Sequence, residues 1–71
     1  MPQENDNPKY GEKWRHYGTG KTEIILQPNV QMKDGGTRWV EAVAYYTEGH
    51  PEQTYVRSLL SFLKAFEKVV E

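Results

Sequence analysis

The chain has 71 residues, no cysteine, two histidines and a net charge of −1. That length allows one small domain, and the missing cysteine excludes a disulfide framework or a thiolate zinc site. The evenly mixed charge offers no basic stripe for sequence-independent nucleic-acid binding, and no apolar run approaches the roughly 20 residues that span a bilayer.

Residues 1–10 are polar, contain Pro2 and Pro8 and show no periodicity, which predicts a mobile tail ahead of a single β-rich domain over residues 11–71. Without a signal-peptide core at its start, the chain is expected in the cytoplasm. Gly11 introduces a short aromatic strand, Lys13-Trp14-Arg15-His16-Tyr17, which Gly18-Thr19-Gly20 ends by turning. Residues 22–27 form a β-branched run with both faces at least partly covered. Pro28 cannot donate to a ladder, so the strand must bulge, stop or lie at an edge there.

Asp34-Gly35-Gly36 predicts a hairpin, because glycine accepts the positive φ of a tight turn. In the strand over residues 37–47, Trp39, Val43 and Tyr45 share one face, and Val40, Ala42, Ala44 and Tyr46 share the other. The small residues predict close packing against the second face. Glu41 interrupts the aromatic face, and a bulge near it would shift the register. Residues 48–52 read as a turn and 54–57 as a strand, after which Ser58 can cap a helix starting at Leu59.

Beyond Ser58 two readings stand. Leu59, Phe62, Leu63, Phe66 and Val70 follow helical spacing, which favours a terminal amphipathic helix. The alternative is one helical turn through Leu63, then a strand over residues 66–70 that closes the sheet. The elements together predict an antiparallel sheet of four or five strands, with helix confined to the region after Ser58. Two Trp, five Tyr and two Phe supply its core. Most of Trp14, Trp39, Tyr45, Tyr46 and Tyr55 must then be buried, with one or two left exposed.

Gly18-Thr19-Gly20-Lys21-Thr22 resembles the end of a phosphate-binding loop, but the earlier glycine of that pattern is replaced by Arg15, and a β-run follows where a helix is required. Nucleotide hydrolysis is therefore not expected. His16 could bind an anion or act as a base, although a base needs a positioned partner, and a strand histidine is more often hydrogen-bonded into its sheet. His50, in a Gly-Pro turn, is expected to be solvated. Arg15 and Arg57 each sit beside aromatic residues. They either clamp a planar anion and stack on rings, or bridge carboxylates such as Glu23 or Glu41, and the bridge is the favoured reading because small domains often use such pairs structurally. Glu67 and Glu71 form no catalytic couple, and no serine or threonine lies in a nucleophile motif. No catalytic residue, cofactor or metal is expected.

The motifs Trp14-Arg15-His16-Tyr17, Glu23-Ile24-Ile25, Val43-Ala44-Tyr45, Tyr55-Val56-Arg57-Ser58-Leu59 and Phe62 stand in an order that resembles the bacterial and phage family catalogued as domain of unknown function 1653. The resemblance runs from Gly11 to Phe66. Ser58 stands where that family usually has proline, and the hairpin around Asp34 follows it only loosely. It implies a small, strongly bent, barrel-like antiparallel sheet and no reaction, since fold does not carry function. The leading reading is thus a non-enzymatic module that binds a protein or its own copy, with Trp14, Arg15, His16, Tyr45, Tyr55 and Arg57 as candidate contact residues. A nucleic-acid-binding barrel stacking bases on Trp14 and Tyr45 beside Arg15 and Arg57 is the alternative. An enzyme or small-nucleotide binder with a site at Arg15, His16 and Arg57 comes last.

Overall fold

Five strands and one helix are arranged in chain order in the computed structural model, which describes residues 7–70, Asp34 by its backbone alone. They are β1 (Lys13–His16), β2 (Thr22–Asp34), β3 (Arg38–Thr47), β4 (His50–Ser58), α1 (Leu59–Ala65) and β5 (Phe66–Lys68). Every strand pair is antiparallel, and the sheet order is β4-β3-β2-β1-β5. The first four strands form a meander, and the fifth returns to flank β1. Because β4 and β5 do not pair, the sheet is curled but open, so the fold is mainly β with a short C-terminal helix and the barrel is not closed. No helix among the described residues is long and apolar enough to cross a membrane.

Local chemistry sets the turns. Asp34 pairs with Arg38, which leaves Gly35, Gly36 and Thr37 as the hairpin loop, with φ of +64° at Gly35 and +84° at Gly36. A side chain at either glycine would meet the steric barrier to positive φ. At the next turn Thr47 pairs with His50, so the loop is only Glu48-Gly49, and β4 begins earlier than the sequence indicates. The register then jumps, with Tyr46 opposite Thr54, so residues 51–53 have no partners on β3. An edge strand with such an irregularity tolerates Pro51.

Pro28 does not end β2. The pairing with β3 shifts between Ile25 and Gln27 and again between Gln27 and Val30, and the strand continues to Asp34. Such irregularities bend a strand and raise its twist, which curls the sheet. No shift occurs at Glu41, whose neighbours pair in sequence from Val30–Ala42 to Asp34–Arg38.

The core consists of Trp14, Ile25, Val43, Tyr45, Phe62 and Phe66, with Leu63 and Ala65 packed against it. Phe62 and Phe66 stack with ring centroids 4.2 Å apart and planes 8° from parallel. Trp14 meets Phe62 at 5.3 Å, and Tyr45 lies 5.3 Å from Phe62 and 5.4 Å from Phe66. The core stops at Val43 on β3, so Trp39, although on the same face by alternation, is 60% exposed. It carries Lys33 Nζ 5.2 Å from its ring centroid instead of joining the core. Of the other aromatic residues expected inside, Trp14 and Tyr45 are buried, Tyr46 is half-buried and Tyr55 is exposed. On the second face of β3, Ala42 and Ala44 are buried as their size suggests.

Ser58 caps α1, its Oγ accepting the N–H of Ser61. Of the two readings of the tail, the chain takes the short helix followed by a strand, with the helix running to Ala65 and the strand ending at Lys68. The helical spacing through Val70 is overridden at Phe66, which adopts extended geometry (φ −129°, ψ 154°) and opens β5. The free edge of β1 captures the chain here. Tyr17 donates its N–H to the Ala65 carbonyl, and Val69 donates to that of Lys13. Unmet ladder groups on β1 outweigh one more turn of helix.

Of the expected tail, residues 1–6 lie outside the described residues, whereas Pro8 is buried and Lys9 donates its N–H to Glu12 Oε1. Packing thus begins before Gly11. The same Glu12 oxygen accepts Trp14 Nε1–H at 3.2 Å, while Oε2 lies 3.0 Å from Lys68 Nζ. One carboxylate therefore ties together the N-terminal segment, β1 and β5. Burial pushes the Glu12 carboxyl up, but the Lys68 hydrogen bond, those from Lys9 and Trp14 and the Lys68 charge together leave its pKa below the ordinary 4.5. A carboxyl held low in the folded state contributes stability above its unfolded pKa, lost as pH falls through the lower folded value. Urea melts from neutral pH to below 4.5 should show stability falling in that acid range, and Glu12→Gln should flatten the fall. Equal acid sensitivity in both proteins would refute the Glu12 assignment.

Candidate functional site

β1 and β4 are not neighbours, since β2 and β3 lie between them. The curl nonetheless brings the side chains of Trp14, His16, Tyr45, Tyr55 and Arg57 onto one face, around the Phe62–Phe66 pair. His16 meets Phe66 edge-on at 4.9 Å, and Tyr55 stacks on Tyr45 at 5.7 Å. Arg57 donates Nε–H to Tyr45 Oη (3.3 Å) and Nη1 to Ser61 Oγ (3.2 Å), with Cζ 5.4 Å from the Phe66 centroid. Arg15 is the exception. Strand alternation turns it to the opposite face, where its Nε lies 3.4 Å from Glu67 Oε2 and both side chains are about half exposed. It does bridge a carboxylate, although neither Glu23 nor Glu41.

Arg57 has no carboxylate partner among the described residues, contrary to expectation. Its half-buried charge is met by two hydroxyl oxygens and an aromatic face, all of which favour a cation. Nη2 makes no hydrogen bond to a described residue.

His16 pins the β1–β2 turn. Its Nδ1 accepts the N–H groups of Gly18 (3.0 Å) and Thr19 (3.1 Å), so that nitrogen is committed and cannot serve as a base. The ring lies so close that a Cβ on Gly18 would stand 3.1 Å from Cε1. Gly20 N–H donates to the His16 carbonyl and Lys21 N–H to Thr19 Oγ1. The amides that a phosphate-binding loop would offer to its ligand are thus used internally, and β2 follows instead of a helix.

The carboxylates do not converge. Glu23 is buried between Trp14 and Thr47 in register, and its Oε1 has no hydrogen-bond partner among the described residues. Glu67 pairs with Arg15, and Glu71 lies outside the described residues. His50 is exposed as expected, with Nδ1 3.4 Å from Glu52 Oε2. Among the described residues no three metal-ligating side chains cluster. An open depression of about 520 Å³ beside the β3–β4 turn is lined by Lys21, Thr22, Thr47, Glu48, His50, Gln53 and Tyr55, and its one carboxylate, Glu48, is already paired with Lys13 Nζ at 2.9 Å.

Sequence reasoning missed Ser61, Glu12 and Val56. Ser61 stands four residues after Arg57, close to one helical turn, and Glu12 stands two before Trp14, on the same side of a strand. Val56, flanked by Tyr55 and Arg57, is 51% exposed on an edge strand. Comparison of the chain with known proteins found no matching family, curated protein or solved structure.

Two stability predictions follow from these partners. Arg57→Ala removes two hydrogen bonds and a ring contact but strands no carboxylate, so urea melts should show a loss of about 1–2 kcal/mol. A loss of 3–5 kcal/mol or more would reveal a hidden counter-charge. Glu23→Met removes an unsatisfied buried oxygen at similar volume and should raise stability by about 1 kcal/mol. A loss on that substitution would mean that the carboxylate has a partner.

Proposed function

We propose that this protein is a non-enzymatic interaction module that binds a protein surface along β4. The observation that carries this reading is the exposure of Tyr55 (44%) and Val56 (51%) on a strand edge that pairs with no other described strand, beside Arg57 Nη2, which bonds to no described residue. Exposed aromatic and arginine side chains side by side are the usual composition of an interface hot spot.

The competing readings have less support. Trp14 and Tyr45 are 3% and 5% exposed, so no base can stack on them, and Arg15 faces away from Arg57. An enzymatic site at Arg15, His16 and Arg57 would need groups that lie on opposite faces or are already committed. Kinship with domain of unknown function 1653 is proposed from the strand motifs and would assign no reaction. A cytoplasmic location fits the cysteine-free sequence.

Site-specific photocrosslinking in cells that naturally make the protein tests the reading. A photoreactive residue at position 56 should trap protein adducts that one at Lys33, near the hairpin tip, does not. Absence of adducts at position 56, or adducts removed by nuclease but not protease, would refute it.

A further inference from the structure

The two sheet edges differ in how they are guarded. β5 is three residues long, and its Glu67 and Lys68 are engaged with Arg15 and Glu12. The first half of β4 is blunted by Pro51, which lacks an N–H, by Glu52, and by the irregular stretch over residues 51–53. Residues 54–58 have no such protection. They pair with Ala42–Tyr46 of β3 without a register break and contain no proline, lysine or acidic residue, and their one charge, Arg57, is drawn inward to Tyr45, Ser61 and the Phe66 face. Natural edge strands are ordinarily defended by charge, proline or bulges against pairing with another chain. An undefended, regular segment of this kind is a template for strand addition.

We infer that the edge formed by residues 54–58 pairs antiparallel with the same edge of a second copy, about a two-fold axis through Val56. This rests on the reading of the protein as an interaction module and names its partner. The regular segment has Val56 at its centre, so a two-fold there pairs the whole segment with itself while keeping the irregular stretch outside. A two-fold interface is self-complementary by construction.

The resulting cross-strand pairs suit one another. By strand alternation Val56 meets its own copy, and Thr54 stands opposite Ser58 of the second chain, whose Oγ already caps α1, so an apolar pair is flanked by small polar residues. On the α1 face Tyr55 meets Arg57 of the second chain, and the converse pair forms across the axis. Arg57 Nη2, which makes no hydrogen bond to a described residue, then faces a tyrosine ring and hydroxyl. No like charges oppose each other directly, and directly opposed pairs are what stabilise or destabilise a ladder. The two sheets join into one.

Because residue 56 faces its own copy, the register is open to a charge-swap test. Sedimentation equilibrium over a range of concentrations is run on the full chain, on Val56→Lys, on Val56→Glu and on an equimolar mixture of the two variants. Circular dichroism checks that each variant is folded, as expected for an exposed position. The wild type should associate to twice the chain mass, each variant alone should dissociate at least about tenfold more readily, and the mixture should regain association. A wild type that stays monomeric, variants that associate like it, or a mixture that stays monomeric would each overturn the inference. Photocrosslinks at position 56 to other proteins but none at the dimer mass would overturn it while leaving the interaction-module reading intact. No protein crosslinks at all would overturn both.

Discussion

The stack of Phe62 on Phe66 is the contact on which the rest of this structure depends. One ring comes from α1 and the other from the first residue of β5, so the stack holds the end of the helix against the start of the last strand. Trp14 and Tyr45 then reach the stack from two strands that do not pair with each other. The curl of the sheet turns both toward one small helix. The curl produced by the irregular pairing around Pro28 is therefore matched to the size of the aromatic cluster.

That arrangement decides what the polar groups can do. Arg57 lies over the rim of the cluster and is satisfied by Tyr45, Ser61 and the Phe66 face. His16 is committed to its own turn, and Glu12 to three partners on the opposite flank. Chemistry needs groups that are positioned and also uncommitted. Here most of the positioned groups are occupied in holding the fold, and uncommitted surface is found along β4, in backbone and exposed side chains. That surface is the one the proposed interaction would use.

Much of this was readable in the sequence, for local reasons. Asp34-Gly35-Gly36 dictates its hairpin, Ser58 announces the helix start, and Pro28 forces an irregularity whatever surrounds it. Where the sequence misleads about the core and the site, a partner distant in sequence is involved. For the tail the sequence offers both outcomes and favours the longer helix, since the spacing of Phe62, Phe66 and Val70 looks helical; stacking places Phe62 and Phe66 on one side even when the second is in a strand. Trp39 obeys the alternation of its strand but lies beyond the reach of α1, which no periodicity reveals. The partners of Arg57 were expected to be acidic because ion pairs are the commoner solution, whereas the fold supplies hydroxyls and a ring. The six candidate residues were gathered on one face apart from Arg15, and the alternation of β1 separates Arg15 from Trp14 and His16.

The β2–β3 hairpin beyond Pro28 adds nothing to the aromatic core, since no residue from 29 to 41 belongs to the cluster. Its loop at Gly35-Gly36 is exposed. Exposed loop tips are where chains best accept insertion and permutation. Evolution is therefore free to lengthen, shorten or recolour this arm while the curled half of the molecule stays fixed, and homologous chains should diverge most there. For the engineer the same arm is a ready display scaffold, a hydrogen-bonded stem on which a foreign sequence could be carried without disturbing what folds the protein.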